Sequence, residues 1–166
     1  MYLIRERFLG LGDDFEITDG DGRAVLHVDG KVLSLRDRLV LSDPHGNQVA
    51  EVTRKLVSLR PTYRVSIGDQ HAADVRKHLF TPFRDKFTID VPGPDDLELT
   101  GSLFDHEFTI ERGGRRVARA SRKLFRIRDT YAVEVEPGED DLLILASVLA
   151  VDLAQQREHD QERQDD

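Results

Sequence analysis

The chain has 166 residues, enough for one domain with a substantial core, and its lack of cysteine excludes disulfides and thiolate metal sites. With 24 basic and 32 acidic residues its net charge is -8, the opposite of the basic surface by which a nucleic-acid binder releases counterions. No nucleic-acid partner is expected.

The start, Met1-Tyr2-Leu3-Ile4-Arg5-Glu6-Arg7, is charged within five residues, unlike a secretory leader, so the cytoplasm is the expected compartment. Strand periodicity follows. Phe15-x-Ile17, Ala24-x-Leu26-x-Val28, Leu39-x-Leu41, Tyr63-x-Val65-x-Ile67, Phe87-x-Ile89-x-Val91, Leu97-x-Leu99, Phe108-x-Ile110 and Tyr131-x-Val133-x-Val135 alternate apolar with polar, as half-buried strands do. Between them, Asp19-Gly20-Asp21-Gly22, Asp43-Pro44-His45-Gly46-Asn47, Gly68-Asp69, Pro92-Gly93-Pro94 and Gly113-Gly114 supply turn chemistry. About a dozen antiparallel strands are expected. The first of these turns resembles the start of a calcium loop, but its twelfth position is Gly30, where a bidentate glutamate is needed, so a hairpin is the better reading.

The segment Gly46-x-x-Val49-Ala50-x-x-Thr53-Arg54-Lys55-Leu56-x-x-Leu59-Arg60-x-Thr62-Tyr63 returns 68 residues later as Gly114-x-x-Val117-Ala118-x-x-Ser121-Arg122-Lys123-Leu124-x-x-Ile127-Arg128-x-Thr130-Tyr131. A weaker copy, Gly22-x-x-Val25 with Lys31-x-Leu33-x-Leu35-Arg36, precedes both. A duplicated unit packs against its copy to close one core. Within each full copy the apolar phase changes at the Arg-Lys pair: Ala50 and Val52 stand on one parity and Val57 and Leu59 on the other, as do Ala118 and Ala120 against Phe125 and Ile127. Such a change predicts a bulge or bend in a long strand, which favours a barrel over an open sheet.

Residues 142–151 are apolar except Ser147, follow Glu139-Asp140-Asp141 and precede Asp152. This predicts a helix over about 140–154 with acidic residues at its N-terminus. Apolar all round, it must be enclosed; at roughly 20 Å it is too short to cross the roughly 30 Å core of a bilayer, so no transmembrane span is expected and the barrel is its natural surround. The expected organisation is one domain over residues 1–154, followed by a polar tail, 155–166, of frayed helix or disorder.

There is no Gly-x-Ser-x-Gly elbow, Walker-type loop or Gly-x-Gly-x-x-Gly motif, so neither an enzyme nor a bound cofactor is expected. Acidic pairs such as Asp95-Asp96 and Asp140-Asp141 read as loop solvation and helix capping. His27, His71, His78 and His106 lack the spacing of a metal site, and none is expected. The constellation with chemical potential is cationic: Arg54-Lys55 and Arg122-Lys123 at the two phase switches, with Arg112, Arg115, Arg116 and Arg119 near the second in sequence. If the pairs meet, Arg forks and Lys point charges form a cradle for an anionic headgroup; otherwise they pair with acidic neighbours.

Tyr2-Leu3-Ile4-Arg5-Glu6, Leu11-Gly12-Asp13-Asp14-Phe15-x-Ile17, the doubled Ser/Thr-Arg-Lys segments, Asp129-Thr130-Tyr131 and the closing Asp140-Asp141-Leu142-Leu143-Ile144-Leu145-Ala146 to Asp152 resemble the LURP-one-related family. The resemblance spans residues 2 to about 153. It implies a fold similar to the C-terminal domain of tubby proteins, mainly β: a closed antiparallel barrel of about twelve strands around a central apolar helix, shared distantly with phospholipid scramblases. Tubby domains bind phosphoinositide headgroups through basic side chains. On these grounds the expected function is a non-catalytic binding module for an anionic lipid headgroup or a partner at a membrane surface, carried by Arg54, Lys55, Arg122 and Lys123. The alternative is a soluble protein-interaction scaffold or sensor without a small ligand. A scramblase-like role ranks lower, since the apolar helix would have to leave the core.

Overall fold

The computed structural model describes residues 1–5, 14–30, 38–79, 81–102, 104–123 and 130–165. The parts of the motifs above at 11–13, 31–36 and 124–129 lie outside the described residues.

Twelve strands run in chain order: β1 (Tyr2–Arg5), β2 (Phe15–Asp19), β3 (Ala24–Gly30), β4 (Arg38–Ser42), β5 (Gln48–Arg54), β6 (Thr62–Ile67), β7 (Gln70–Lys77), β8 (Asp85–Asp90), β9 (Leu97–Ser102), β10 (Glu107–Arg112), β11 (Arg115–Ser121) and β12 (Thr130–Val135). Each pairs antiparallel with its sequence neighbours, and β1 closes the barrel by pairing with both β2 and β12. Tyr2-Leu3-Ile4 is therefore a closing strand. The barrel leaves no open edge to attract another chain.

The 68-residue repeat is a six-strand rotation around this barrel. Ala50 opposes Ile67 and Val52 opposes Val65 across β5 and β6, and Ala118 opposes Val135 and Ala120 opposes Val133 across β11 and β12, the same register. With twelve strands, six is half a turn.

The phase change has a different cause from the expected bulge. Strand β5 ends at Arg54 and the chain enters a loop, so Val57 and Leu59 leave the core altogether, at 97% and 102% exposure. Phe125 and Ile127, their counterparts, lie outside the described residues. Register shifts do occur, between Ile17 and Thr18, Leu41 and Ser42, Val65 and Ser66, and Ile110 and Glu111, all toward the opposite end of the barrel.

That opposite end carries tight turns. In one of them Asp43 Oδ1 accepts from the backbone N–H groups of His45 and Asn47 at 2.9 Å each, and Gly46 takes a φ of 86°, open to glycine at no steric cost. Gly101 answers another constraint: a Cβ there would lie 2.3 Å from the Glu107 carbonyl and 2.6 Å from Phe108 Cα across the β9–β10 pair.

Helix α1 (Asp141–Gln164) starts at the tight-turn end, where the Asp140 side chain accepts from Leu143 N at 3.1 Å and the Tyr2 hydroxyl donates to Asp141. That hydrogen bond, with burial and the charge of Asp141 and Asp19, pushes the Tyr2 phenol up to about 12. Eight consecutive helical residues, Ile144 through Val151, are buried, which requires protein on every side. The barrel supplies it. Closest to the helix are β5, β6, β7 and β12. The first three of these present Ala50, Val52, Val65, Ala73 and Val75 inward together with Tyr63, whereas β8 to β10 present Phe87, Ile89, Leu97, Leu99, Phe108 and Ile110. The helix thus sits off-centre, toward β5 to β7, where most inward side chains other than Tyr63 are small, and the large ones of β8 to β10 fill the wider gap.

The helix runs ten residues beyond the end expected from its apolar run. Its 24 residues span about 36 Å, more than the barrel's height, so the last turns emerge at the far end. Two contacts hold it there: Tyr131 Oη donates to Asp152 Oδ2, with His106 stacked on Tyr131 at 4.7 Å, and Lys77 Nζ donates to Glu158. Among the described residues no helix is long and apolar enough to cross a membrane.

Candidate functional site

Strand direction assigns every connection to one end of the barrel. The tight turns 20–23, 43–47, 68–69, 91–96, 113–114 and 136–140 share the end where α1 begins; the connections β1–β2, β3–β4, β5–β6, β7–β8, β9–β10 and β11–β12 share the end where it leaves. Both Arg-Lys pairs therefore stand at the same end. They do not stand together. The β5–β6 and β11–β12 loops are related by the half-turn of the repeat, and twelve strands about 4.8 Å apart, tilted by about 40°, close on a diameter of roughly 24 Å. One headgroup cannot reach both.

Charge divides between the two ends. Among the described residues of the loop end, Lys55, Arg60, Arg84, Arg122 and Lys123, with Arg54 at the end of β5, stand against the loop carboxylates Asp14 and Asp105. In the tight turns the balance reverses: Asp21, Asp43, Asp69, Asp95, Asp96, Glu136, Glu139 and Asp140 stand against Arg23. Among the described loops and turns the negative charge is thus concentrated at the tight-turn end, while the loops of the other end are mainly cationic and α1 brings Glu158, Asp160, Glu162 and Asp165 out among them.

The first pair is built into the barrel wall. Arg54 ends β5 opposite Tyr63, is half-buried, and makes no ion pair among the described residues. Lys55 N donates to Thr62 O at 2.9 Å, which turns its side chain over the outer face of β6 and β7, where Nζ donates to Asp74 Oδ2 at 2.7 Å. Asp74 collects further partners: Arg64 Nε at 3.5 Å, His71 Nε2 at 3.1 Å, and an Arg76 guanidinium nitrogen at 4.0 Å that also lies 2.7 Å from Asp90. Under these side chains Asp74 is only 6% exposed although it points outward. Burial pushes its carboxyl up, but the hydrogen bonds and charges of Lys55 and His71 outweigh it and hold the pKa below the ordinary aspartate value.

The second pair sits differently. Ser121 Oγ donates to Glu107 Oε1 at 2.6 Å and accepts from Lys123 N at 3.1 Å, which fixes the start of the loop and leaves the Arg122 and Lys123 side chains exposed. Arg112, Arg115 and Arg116 do not join them: they lie at the tight-turn end, where Glu139 holds Arg112 at 2.6 Å and Arg115 at 3.3 Å, and Glu136 holds Arg116 at 3.1 Å. Strand β11 separates the groups. Arg119 lies partway along that strand, paired with Thr109 and Glu134 in register.

Sequence reasoning singled out Lys55 but not the group around it. Arg64 was open to inference, since the alternation Tyr63-x-Val65 points it outward. Strand β7 was harder to find, because His71-Ala72-Ala73-Asp74-Val75 has no clean period of two; its outward carboxylate is buried, as its inward alanine is.

Residues 1–152 match the family described as LURP-one-related. Among curated proteins the chain is similar to the "Uncharacterized protein YxjI" of Bacillus subtilis (strain 168), 28% identical over 160 residues that cover 96% of this chain and 82% of that one. No solved structure matches it.

Proposed function

The chain belongs to the LURP-one-related family, and from its barrel and charge distribution we propose that it is a non-catalytic binding module that meets anionic lipid headgroups at a membrane surface with its loop end. The observation that carries this reading is the segregation of loop charge among the described residues: five loop cations and Arg54 against Asp14 and Asp105 at one end, and eight carboxylates against Arg23 in the turns of the other. A net charge of -8 alone would keep the protein off an anionic bilayer. A polarised one turns its cationic loops toward it, within the roughly 8–10 Å over which physiological salt leaves charges in contact.

The two Arg-Lys pairs then act as separate footholds rather than one cradle, each binding its own headgroup across the barrel mouth. Lys55 brings Arg64 and His71 with it through Asp74, and a phosphate there takes over hydrogen bonds that the carboxylate now receives. The test is vesicle flotation at low and high salt, with neutral phosphatidylcholine vesicles and vesicles carrying phosphatidylserine or a phosphoinositide. Wild type is expected to float with the anionic vesicles at low salt only. Alanine at Arg54 and Lys55, or at Arg122 and Lys123, is expected to weaken binding several-fold, and the four together to abolish it. Absence of binding under every condition would replace this reading with that of a protein-interaction scaffold.

A further inference from the structure

The loop end is also where the barrel exposes its hydrophobic side chains. Leu56, Val57 and Leu59 lie on the β5–β6 loop, Leu79 and Phe83 on the β7–β8 loop, and Phe104 on the β9–β10 loop; outside this end, the only large apolar residue so exposed among the described residues is Met1. The three loops are consecutive around the rim. A backbone bond joins the first two, Lys77 N donating to Pro61 O at 3.0 Å, and His78 N donating to Lys86 O at 2.9 Å closes the base of the second. The arc is therefore one surface on a braced frame. Val57, Leu59 and Phe83 are essentially fully exposed, and Phe83 holds a φ of 73°, a conformation costly for an aromatic residue that aims its ring away from the barrel.

Exposed apolar residues are common singly; a contiguous set on one pole marks an interaction surface. Its chemistry indicates the occupant. Cations alternate with the apolar side chains along the chain, as Lys55-Leu56-Val57-x-Leu59-Arg60 and Phe83-Arg84, and Arg60 and Arg84 make no ion pair among the described residues. A purely apolar protein groove would leave those charges desolvated and unpaired. An anionic bilayer accepts both at once, with hydrocarbon at the acyl boundary and guanidinium or ammonium groups a few ångströms higher among the phosphates.

We infer that the β5–β6 and β7–β8 loops insert Val57, Leu59 and Phe83 into the acyl boundary of an anionic bilayer, with Lys55, Arg60 and Arg84 at headgroup level. This rests on the headgroup reading above and adds the depth and orientation of the bound protein, tilted onto one arc of its rim.

Because the chain has no tryptophan, Phe83→Trp creates a single tryptophan, excited selectively over the three tyrosines, at the tip of the arc. With phosphatidylserine vesicles its emission is expected to shift to the blue and to be quenched by lipids brominated along the acyl chain. The triple variant V57S/L59S/F83S, altered only at exposed positions, is expected to keep the wild-type circular dichroism and thermal midpoint and its affinity for soluble inositol phosphate. It is expected to bind vesicles at least about tenfold more weakly. Flotation of the Phe83→Trp protein with its emission unshifted and unquenched would overturn insertion while leaving headgroup binding intact. Failure to float with any vesicle would overturn both.

Discussion

Asp74 shows how a single residue acquires its role from what covers it. On an outward strand position an aspartate is ordinarily solvated; here Lys55, Arg64, His71 and Arg76 close over it and leave a charge-assisted cluster on the barrel wall. Because the folded pKa is depressed, the stabilisation is present above the ordinary aspartate value of about 3.9 and is lost as pH falls through the lowered folded value. Asp74→Asn is expected to cost about 2 kcal/mol at pH 7, and that difference from wild type is expected to shrink toward pH 3. Urea midpoints at the two pH values measure it, and an equal cost at both would remove the carboxylate's charge as the source. The same substitution frees Lys55 and Arg64 for an external anion, so vesicle binding is expected to rise as stability falls.

At the scale of the element, α1 is held by burial rather than by amphipathic periodicity. Ser147 lies in its middle, fully buried, with an Oγ that has no hydrogen-bond partner among the described residues. Ser147→Ala removes a desolvated hydroxyl and little volume, so it is expected to stabilise by about 1 kcal/mol, read as a raised thermal midpoint. Leu145→Asp, two residues away in the same core, places an unpaired carboxylate among Leu, Val and Ala side chains, and is expected to abolish cooperative unfolding. A folded, soluble Leu145→Asp protein would show that the barrel does not enclose the helix. The contrast matters because the same residues, read as a linear string, resemble a membrane segment; their length and the closed barrel around them are what make them a core.

For the molecule as a whole, the helix supplies an opposing charge as well as a core. Its last turns emerge among the cationic loops and carry Asp160, Glu162 and Asp165, exposed, at the surface proposed to meet lipid. Lys77 binds Glu158 and draws this stretch to the β7–β8 side. Neutralising its tip with Asp160→Asn and Glu162→Gln is expected to strengthen binding to anionic vesicles about fivefold at low salt and to have no effect at high salt. Co-sedimentation titrations would read this, and unchanged affinity at low salt would place the tail clear of the contact.

Several properties were already decided by the order of residues. Alternation of apolar side chains and Gly-rich turns is local physics, and a 68-residue repeat must map onto a whole number of strands, so a closed barrel of about twelve strands around an apolar helix follows from the chain alone. The family match rests on the same linear pattern. Three things needed the third dimension. Val57 and Leu59 look like strand residues in a shifted phase until the end of β5 at Arg54 turns them into solvent-facing loop residues. The Arg54-Lys55 and Arg122-Lys123 pairs share an end yet stand across the barrel, because a repeat of six strands in twelve is a half-turn, while Arg112, Arg115 and Arg116 fall to the other pole. The division of charge between poles was hidden for the same reason: antiparallel strands send every second connection to the same end, so residues far apart in sequence sum to one field only once the barrel has closed.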